Sequence, residues 1–249
     1  MDESRVLFDD DREVSLTFAR GLDLLEAFAG QERGLSVAEL AARTGFNRAV
    51  TRRLVRTLEK KGYAEANRGL YELTPRVLRL IRGFVEGRDL PQILNPILRR
   101  AAEQVGESVS FAMLDGHEAV YVAHAPLPAR FTLNRAVIGA RVPLAPTAVG
   151  RCLLAFSPEG EMRCLMAELG VTEADLPFRA LRRQGYVASR GEYVPGVASI
   201  AVPVFDGRGQ LHGALSIIYL EGGRDPADVT GPILAHLKAA ARDLGGALQ

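Results

Sequence analysis

The apolar positions of the chain change rhythm along its length. Up to residue 61 they recur at helical spacing, broken at Gly30 and Gly45 and stopped at Gly62. Leu16, Ala19, Leu22, Leu25 and Phe28 predict a helix over residues 14–29. Ser36 with Glu39 three residues later has the capping-box spacing, so a second, short helix starts there and ends at Gly45. Asn47 can cap a third helix, in which Val50, Leu54 and Leu58 form an inward row and Arg48, Arg52 and Arg56 an opposite, cationic one. Lys60 and Lys61 then suit the negative end of its dipole. Tyr63–Ala66 and Leu70–Leu73 flank Asn67-Arg68-Gly69, which is hairpin chemistry. Helix, turn, helix and hairpin in that order predict a winged helix-turn-helix over residues 12–74.

Thr74-Pro75 is a strong helix start, and residues 75–88 read as a linker helix, its apolar Val77, Leu78, Leu80, Ile81 and Phe84 falling in Arg76–Val85. Asp89 opens the next region, capping a helix that runs to about Val105. The rhythm then turns to alternation. Ser108–Leu114 and Ala119–Ala125 predict strands joined at Asp115-Gly116, with further strands at Phe131–Asn134, Ala198–Phe205 and Leu211–Leu220. Helices are predicted at Thr147–Phe156, Pro158–Leu169, Pro177–Gln184 and Pro226–Leu248. Strands joined by turns, with helices at their flanks, make residues 89–249 an α+β domain with an antiparallel sheet.

Charge sharpens the first prediction. The total is nearly balanced, 31 basic against 30 acidic residues, but from Arg43 to Lys61 seven basic residues face the single acid Glu59. A basic helix-turn-helix implies double-stranded DNA as partner, with cations on phosphates giving affinity and base edges giving sequence information. Asn47, Arg48, Thr51 and Arg52 are placed to reach bases from the start of the third helix. Arg53, Arg56 and Arg68 suit phosphates, and Ser36 joins the DNA contacts from the helix before. Residues 1–11 hold five acids, one Arg and few apolar side chains, and are expected to be a disordered tail. With no apolar run of membrane-spanning length and an acidic start, the chain is expected in the cytoplasm, without membrane contact.

Other chemistry finds little support. Cys152 and Cys164 are isolated and read as buried structural thiols. His117, His124, His212 and His236 have no metal-ligand spacing, and no G-x-S-x-G, H-E-x-x-H, phosphate loop or dinucleotide fingerprint is present. No enzyme, metal or cofactor is expected. Pro146-Thr147-Ala148-Val149-Gly150 is a helix entry whose N–H groups favour a carboxylate. Thr147 and Ser199 either add hydroxyls to such a site, or respectively cap a helix and satisfy a strand neighbour. Arg151 suits either a carboxylate or an interface salt bridge.

With these parts in this order, the chain resembles the IclR family of bacterial transcriptional regulators from about Leu16 to Leu220. The likeness is carried by Ala19-Arg20-Gly21-Leu22-Asp23-Leu24-Leu25, Ala38-Glu39-Leu40-Ala41 and Tyr71-Glu72-Leu73-Thr74-Pro75-Arg76-Val77-Leu78, the last closest to the branch controlling aromatic-acid breakdown. In the second domain it is carried by Val142-Pro143-Leu144, Gly150-Arg151-Cys152-Leu153-Leu154-Ala155 and Ala198-Ser199-Ile200-Ala201-Val202-Pro203-Val204. The resemblance implies a GAF-like domain binding a small organic or aromatic acid, assembly as a dimer or dimer of dimers, and ligand-controlled binding to operator DNA. It also implies a pocket lined by Ala145, Thr147, Ala148, Val149, Gly150, Glu192, Val197, Ser199 and Ala201. The connection between Met166 and Phe178 looks shorter than is usual in the family, which bears on one pocket wall. A second domain serving only assembly is the alternative.

Overall fold

Leu24, Phe28, Leu35, Leu40, Val55, Leu58 and Ala64 gather into one small core, and around it the first unit of the computed structural model is built. The structure describes residues 13–30, 33–80, 83, 90–127, 138–223 and 229–248. It divides into two units, Met1–Arg88 and Asp89–Gln249. The first holds α1 (Leu16–Glu26), α2 (Val37–Thr44), α3 (Arg48–Lys61) and the hairpin of β1 (Ala64–Asn67) and β2 (Leu70–Leu73). The capping box of α2 is complete: Ser36 Oγ accepts from the Glu39 N–H (3.2 Å) and Glu39 Oε2 from the Ser36 N–H (2.9 Å). Gly45 takes the left-handed conformation (φ 64°) that turns the chain into α3, where Asn47 Oδ1 accepts from the Val50 N–H at 2.9 Å.

Two expected rows shift. In α1 the buried position is Leu24, whereas Leu22 and Phe18 are exposed. In α3 the inward row is Thr51, Val55 and Leu58, flanked by half-buried Val50 and Leu54. A row of strict fours drifts about 40° per step around a helix of 3.6 residues per turn, so a stable face alternates steps of four and three. The hairpin also gains an unpredicted third partner: Leu35 and Tyr71 exchange backbone hydrogen bonds of 2.9 and 2.8 Å. After β2, Thr74 caps as expected, but the first turn, Pro75–Val77, is 3-10 helix. Residues 78–80 and 83 are helical, and the rest of the predicted linker helix lies outside the described residues.

The second unit begins with α4 (Leu90–Val105) and the strands β3 (Val109–Asp115), β4 (Glu118–Ala125) and β5 (Arg141–Pro143). Then come α5 (Ala148–Phe156), α6 (Glu159–Glu168), α7 (Phe178–Gln184), β6 (Val187–Arg190), β7 (Val197–Phe205) and β8 (Leu211–Leu220). The chain closes with α8 (Leu234–Ala247), entered through the π-helical turn Val229–Ile233. The sheet runs β5-β4-β3-β8-β7-β6, antiparallel throughout. One face, with Val109, Phe111, Ile200, Val202, Leu215 and Ile217, is covered by α4 and α8. The other, with Ala112, Ala201 and Ala214, is covered by α5, and α6 and α7 pack behind that helix. The edge strands β5 and β6 were not predicted. The expected strand Phe131–Asn134, the Asp89 cap and the first residues of the last predicted helix lie outside the described residues.

Candidate functional site

In the first unit, the α3 side opposite Thr51, Val55 and Leu58 is a cationic surface. Arg48, Arg52, Arg53 and Arg56 are exposed, and the first three make no ion pair with any described residue. Arg56 lies 3.8 Å from Glu59. Asn47 is exposed with its Oδ1 spent on the cap, leaving its amide N–H groups outward. Arg68 and Gly69 form the two-residue turn of the wing, both at positive φ (50° and 84°). For an arginine this conformation is strained, so the turn holds a cation at the tip against local preference. Thr51 must be withdrawn as a base reader: it is fully buried and its Oγ1 donates to the Asn47 carbonyl at 3.1 Å. Ser36 is committed as well, its hydroxyl accepting from the Glu39 N–H and donating to Glu39 Oε2 at 2.8 Å.

In the second unit, a cavity of about 360 Å³ opens between the α5 entry and the sheet. Paired residues of an antiparallel ladder share a face, and the register brings Tyr121 of β4, Ser216 of β8, Ser199 of β7 and Ser189 of β6 to the α5 side. Thr147, Ala148 and Val149 form the helix-entry wall, and Val142, Val197 and Ile218 add apolar surface. Tyr193 and Val194, on the loop between β6 and β7, and Ala140 and Arg141, where β5 begins, complete the lining. Ala148 and Val149 occupy the first two helical positions, whose N–H groups have no partner within a helix. Burial pushes the Tyr121 phenol above its usual range, with the neighbouring Ser216 hydroxyl opposing, so the phenol stays protonated.

Five of the nine expected pocket residues line this cavity: Thr147, Ala148, Val149, Val197 and Ser199. The other four do not, and each has another task. Gly150 is the point of closest approach of α5 to the preceding loop, where a Cβ would lie 2.4 Å from Leu144 Cα. Ala201 is buried in the packing between α5 and the sheet. Ala145 borders a separate hollow and accepts from Arg151 Nε at 2.5 Å. Glu192 forms an ion pair with Arg151, which ties the β6–β7 loop to α5. Thr147 is itself a cap, its hydroxyl donating to the Pro143 carbonyl (2.8 Å) and accepting from the Gly150 N–H (3.0 Å).

The lining missed by sequence reasoning includes Tyr121, Ser189, Ser216 and Ile218, which strand register unites, together with residues 140–142 and the Tyr193 loop. Period-2 alternation in β4 and β8 is the only sequence signal for Tyr121, Ser216 and Ile218. Three of the four histidines hold separate partners: His117 with Glu168 (2.6 Å), His124 with Ser110 (3.0 Å) and His212 with Asp206 (3.2 Å). Cys152 is buried as expected, whereas Cys164 is exposed on α6.

Among the described residues, no helix is long and apolar enough to cross a membrane. Residues 17–68 match the model of the IclR helix-turn-helix domain, and residues 83–245 that of the bacterial transcriptional regulator IclR C-terminal domain. The Pca regulon regulatory protein of Pseudomonas putida is 31% identical over 95% of this chain and 85% of its own length. An IclR family transcriptional regulator from Brucella abortus superposes with a TM-score of 0.79 at 25% identity, covering 97% of this chain and 95% of that one. A double mutant of the PobR inducer-binding domain from Acinetobacter, in complex with 3-hydroxybenzoic acid, covers 63% of this chain and 98% of its own, with a TM-score of 0.57 and 25% identity. With both domain models matched in order and a relative 31% identical over 85% of its own length, this chain belongs to the IclR family of DNA-binding bacterial transcriptional regulators.

Proposed function

We propose that the second unit senses a small aromatic carboxylic acid and thereby sets the affinity of the first for operator DNA. One observation carries this reading: the unpartnered N–H groups opening α5 stand at the wall of a cavity whose remaining lining is apolar and hydroxyl-bearing apart from Arg141, which is paired with Glu118. Such a helix start attracts a carboxylate, and apolar walls favour a ring. The hydroxybenzoic acid in the PobR domain supports the same class. Asn47, Arg48 and Arg52 are the proposed base readers, and Arg53, Arg56 and Arg68 the proposed phosphate contacts. Cytoplasmic action as a dimer or dimer of dimers belongs to the same reading, supported by the exposed apolar side chains Phe18, Leu22, Leu78 and Leu80.

The test is fluorescence anisotropy of the purified protein on its own upstream intergenic DNA, with nonspecific competitor, at two salt concentrations and with benzoate and the hydroxybenzoates added singly. Saturable binding that survives competitor, weakens with salt and shifts with one acid is the expected result. Operator binding that ignores every acid, with no shift in melting temperature, would leave the second unit to assembly alone.

A further inference from the structure

We propose that residues 191–196 form a flap over the cavity, latched shut by the Arg151–Glu192 ion pair, and that its opening controls what enters and leaves. That the occupant is an effector rests on the reading above; the flap itself rests on the geometry of the loop. Most of the cavity wall is strand or helix start, held by ladder hydrogen bonds and caps. Tyr193 and Val194 come instead from a stretch with neither helix nor strand, between the end of β6 at Arg190 and the start of β7 at Val197. Both line the cavity, yet they are 50% and 46% exposed, so at this place the wall between cavity and solvent is one side chain thick.

The loop is stitched at its ends and loose between them. The Gly191 N–H donates to the Val197 carbonyl (2.8 Å), the Glu221 N–H to the Gly196 carbonyl (2.9 Å) and the Val197 N–H to the Val194 carbonyl (3.1 Å). Among the described residues, the N–H groups of Glu192, Tyr193 and Val194 donate to no carbonyl, and Pro195 has no N–H to give. Gly191 and Gly196 stand at positive φ (64° and 76°), where glycine alone is at ease, so both ends of the tip can act as hinges. The side-chain hold on the tip is the Arg151–Glu192 pair. Arg151 is a fixed post for it: the residue lies near the start of α5, and its Nε donates to the Ala145 carbonyl at 2.5 Å while Nη2 meets Glu192. The two side chains remain 24% and 39% exposed, and a pair so open to water and salt adds little to the fold. That weakness suits a latch, which must release without the domain unfolding.

Thiol labelling reads the opening without any effector. The parent protein is the full-length chain with Cys164→Ala, which removes the exposed thiol, and Val149→Cys, which puts one on the cavity wall at a residue 3% exposed. It is reacted with iodoacetamide, and the modified peptides are followed by mass. Cys152, buried on the same helix between α5 and the sheet, is the internal control, since it reacts only when the helix leaves the sheet. Adding Glu192→Gln should speed labelling at position 149 about two- to fivefold, the range a half-exposed ion pair supplies, and leave Cys152 unchanged. Raising salt to about 1 M should do the same to the parent protein and nothing to the Glu192→Gln variant, whose latch is already lost. An unchanged rate at position 149, salt acting equally on both proteins, or a rise shared by Cys152 would each overturn the flap. If labelling behaves as expected while operator binding and melting temperature ignore every acid, the flap stands and the effector reading falls.

Discussion

Thr51 and Arg52 are adjacent in the chain and opposite in task. A helix advances about 100° per residue, enough to take Thr51 into the core and Arg52 to the surface. Arg52→Ala is expected to weaken specific operator binding by about 1–3 kcal/mol, the worth of a bidentate base contact. Anisotropy at fixed salt reads this, and an unchanged affinity removes Arg52 from the base readers. Thr51→Ala should instead cost about 1–2 kcal/mol of stability, through lost burial, and leave sequence preference alone. Thr147 poses the same question in the second unit. Its hydroxyl already donates to Pro143 and accepts from Gly150, so Thr147→Val should destabilise the fold by about 1–2 kcal/mol as a lost cap. Urea unfolding without ligand measures it. Full stability combined with a lost effector response would assign the hydroxyl to the ligand instead.

At the scale of elements, the start of α2 shows how far local signals reach. Ser36 and Glu39 were legible because a capping box is written in four consecutive residues, and the structure adds Arg33, whose Nη2 lies 2.5 Å from Glu39 Oε1. Arg33 first, then the Ser36 N–H and hydroxyl, hold the Glu39 carboxyl down at about 2, against an ordinary 4.5. A depressed carboxylate contributes stability that is complete above its unfolded value and disappears as pH falls through its folded one. Melting of the wild type should therefore fall between about pH 4.5 and about pH 2 more steeply than that of Glu39→Gln, and salt should shrink the difference because the pair is exposed. Parallel curves would mean that the box contributes no pH dependence. The starts of α3 and α5 were legible for the same reason as this one, Asn47 and Thr147 being caps by residue type. The edge strands β5 and β6 were not: they span only three and four residues, too few for alternation to stand out, and they exist by pairing with β4 and β7. The cavity was half legible on the same grounds. Its helix-entry wall is contiguous in sequence, whereas Tyr121, Ser189, Ser199 and Ser216 come from four strands and meet only through register.

Across the whole molecule, charge is partitioned between two tasks. Residues 12–90 hold 15 basic and 10 acidic residues, and residues 91–249 hold 15 of each. The excess lies in the DNA-binding stretch that follows the acidic residues 1–11, and on the proposed reading the balanced unit offers a small anion a local arrangement of N–H groups rather than a general field. Regulation requires the two sites to share a free energy: an acid changes operator affinity only by the ratio of its affinities for DNA-competent and DNA-incompetent states. That coupling is reciprocal. If an aromatic acid changes operator affinity by a given factor, saturating operator DNA must change the affinity for that acid by the same factor, about 5- to 150-fold for ordinary allosteric coupling. Titrating the acid into the protein with and without a saturating operator duplex should give two dissociation constants whose ratio equals the shift in operator binding. Equality would establish that the cavity and the reading helix are linked through one equilibrium, whichever direction of regulation the promoter imposes. An acid that binds with the same affinity in both titrations would separate sensing from DNA binding and place its effect at a step after the operator is occupied.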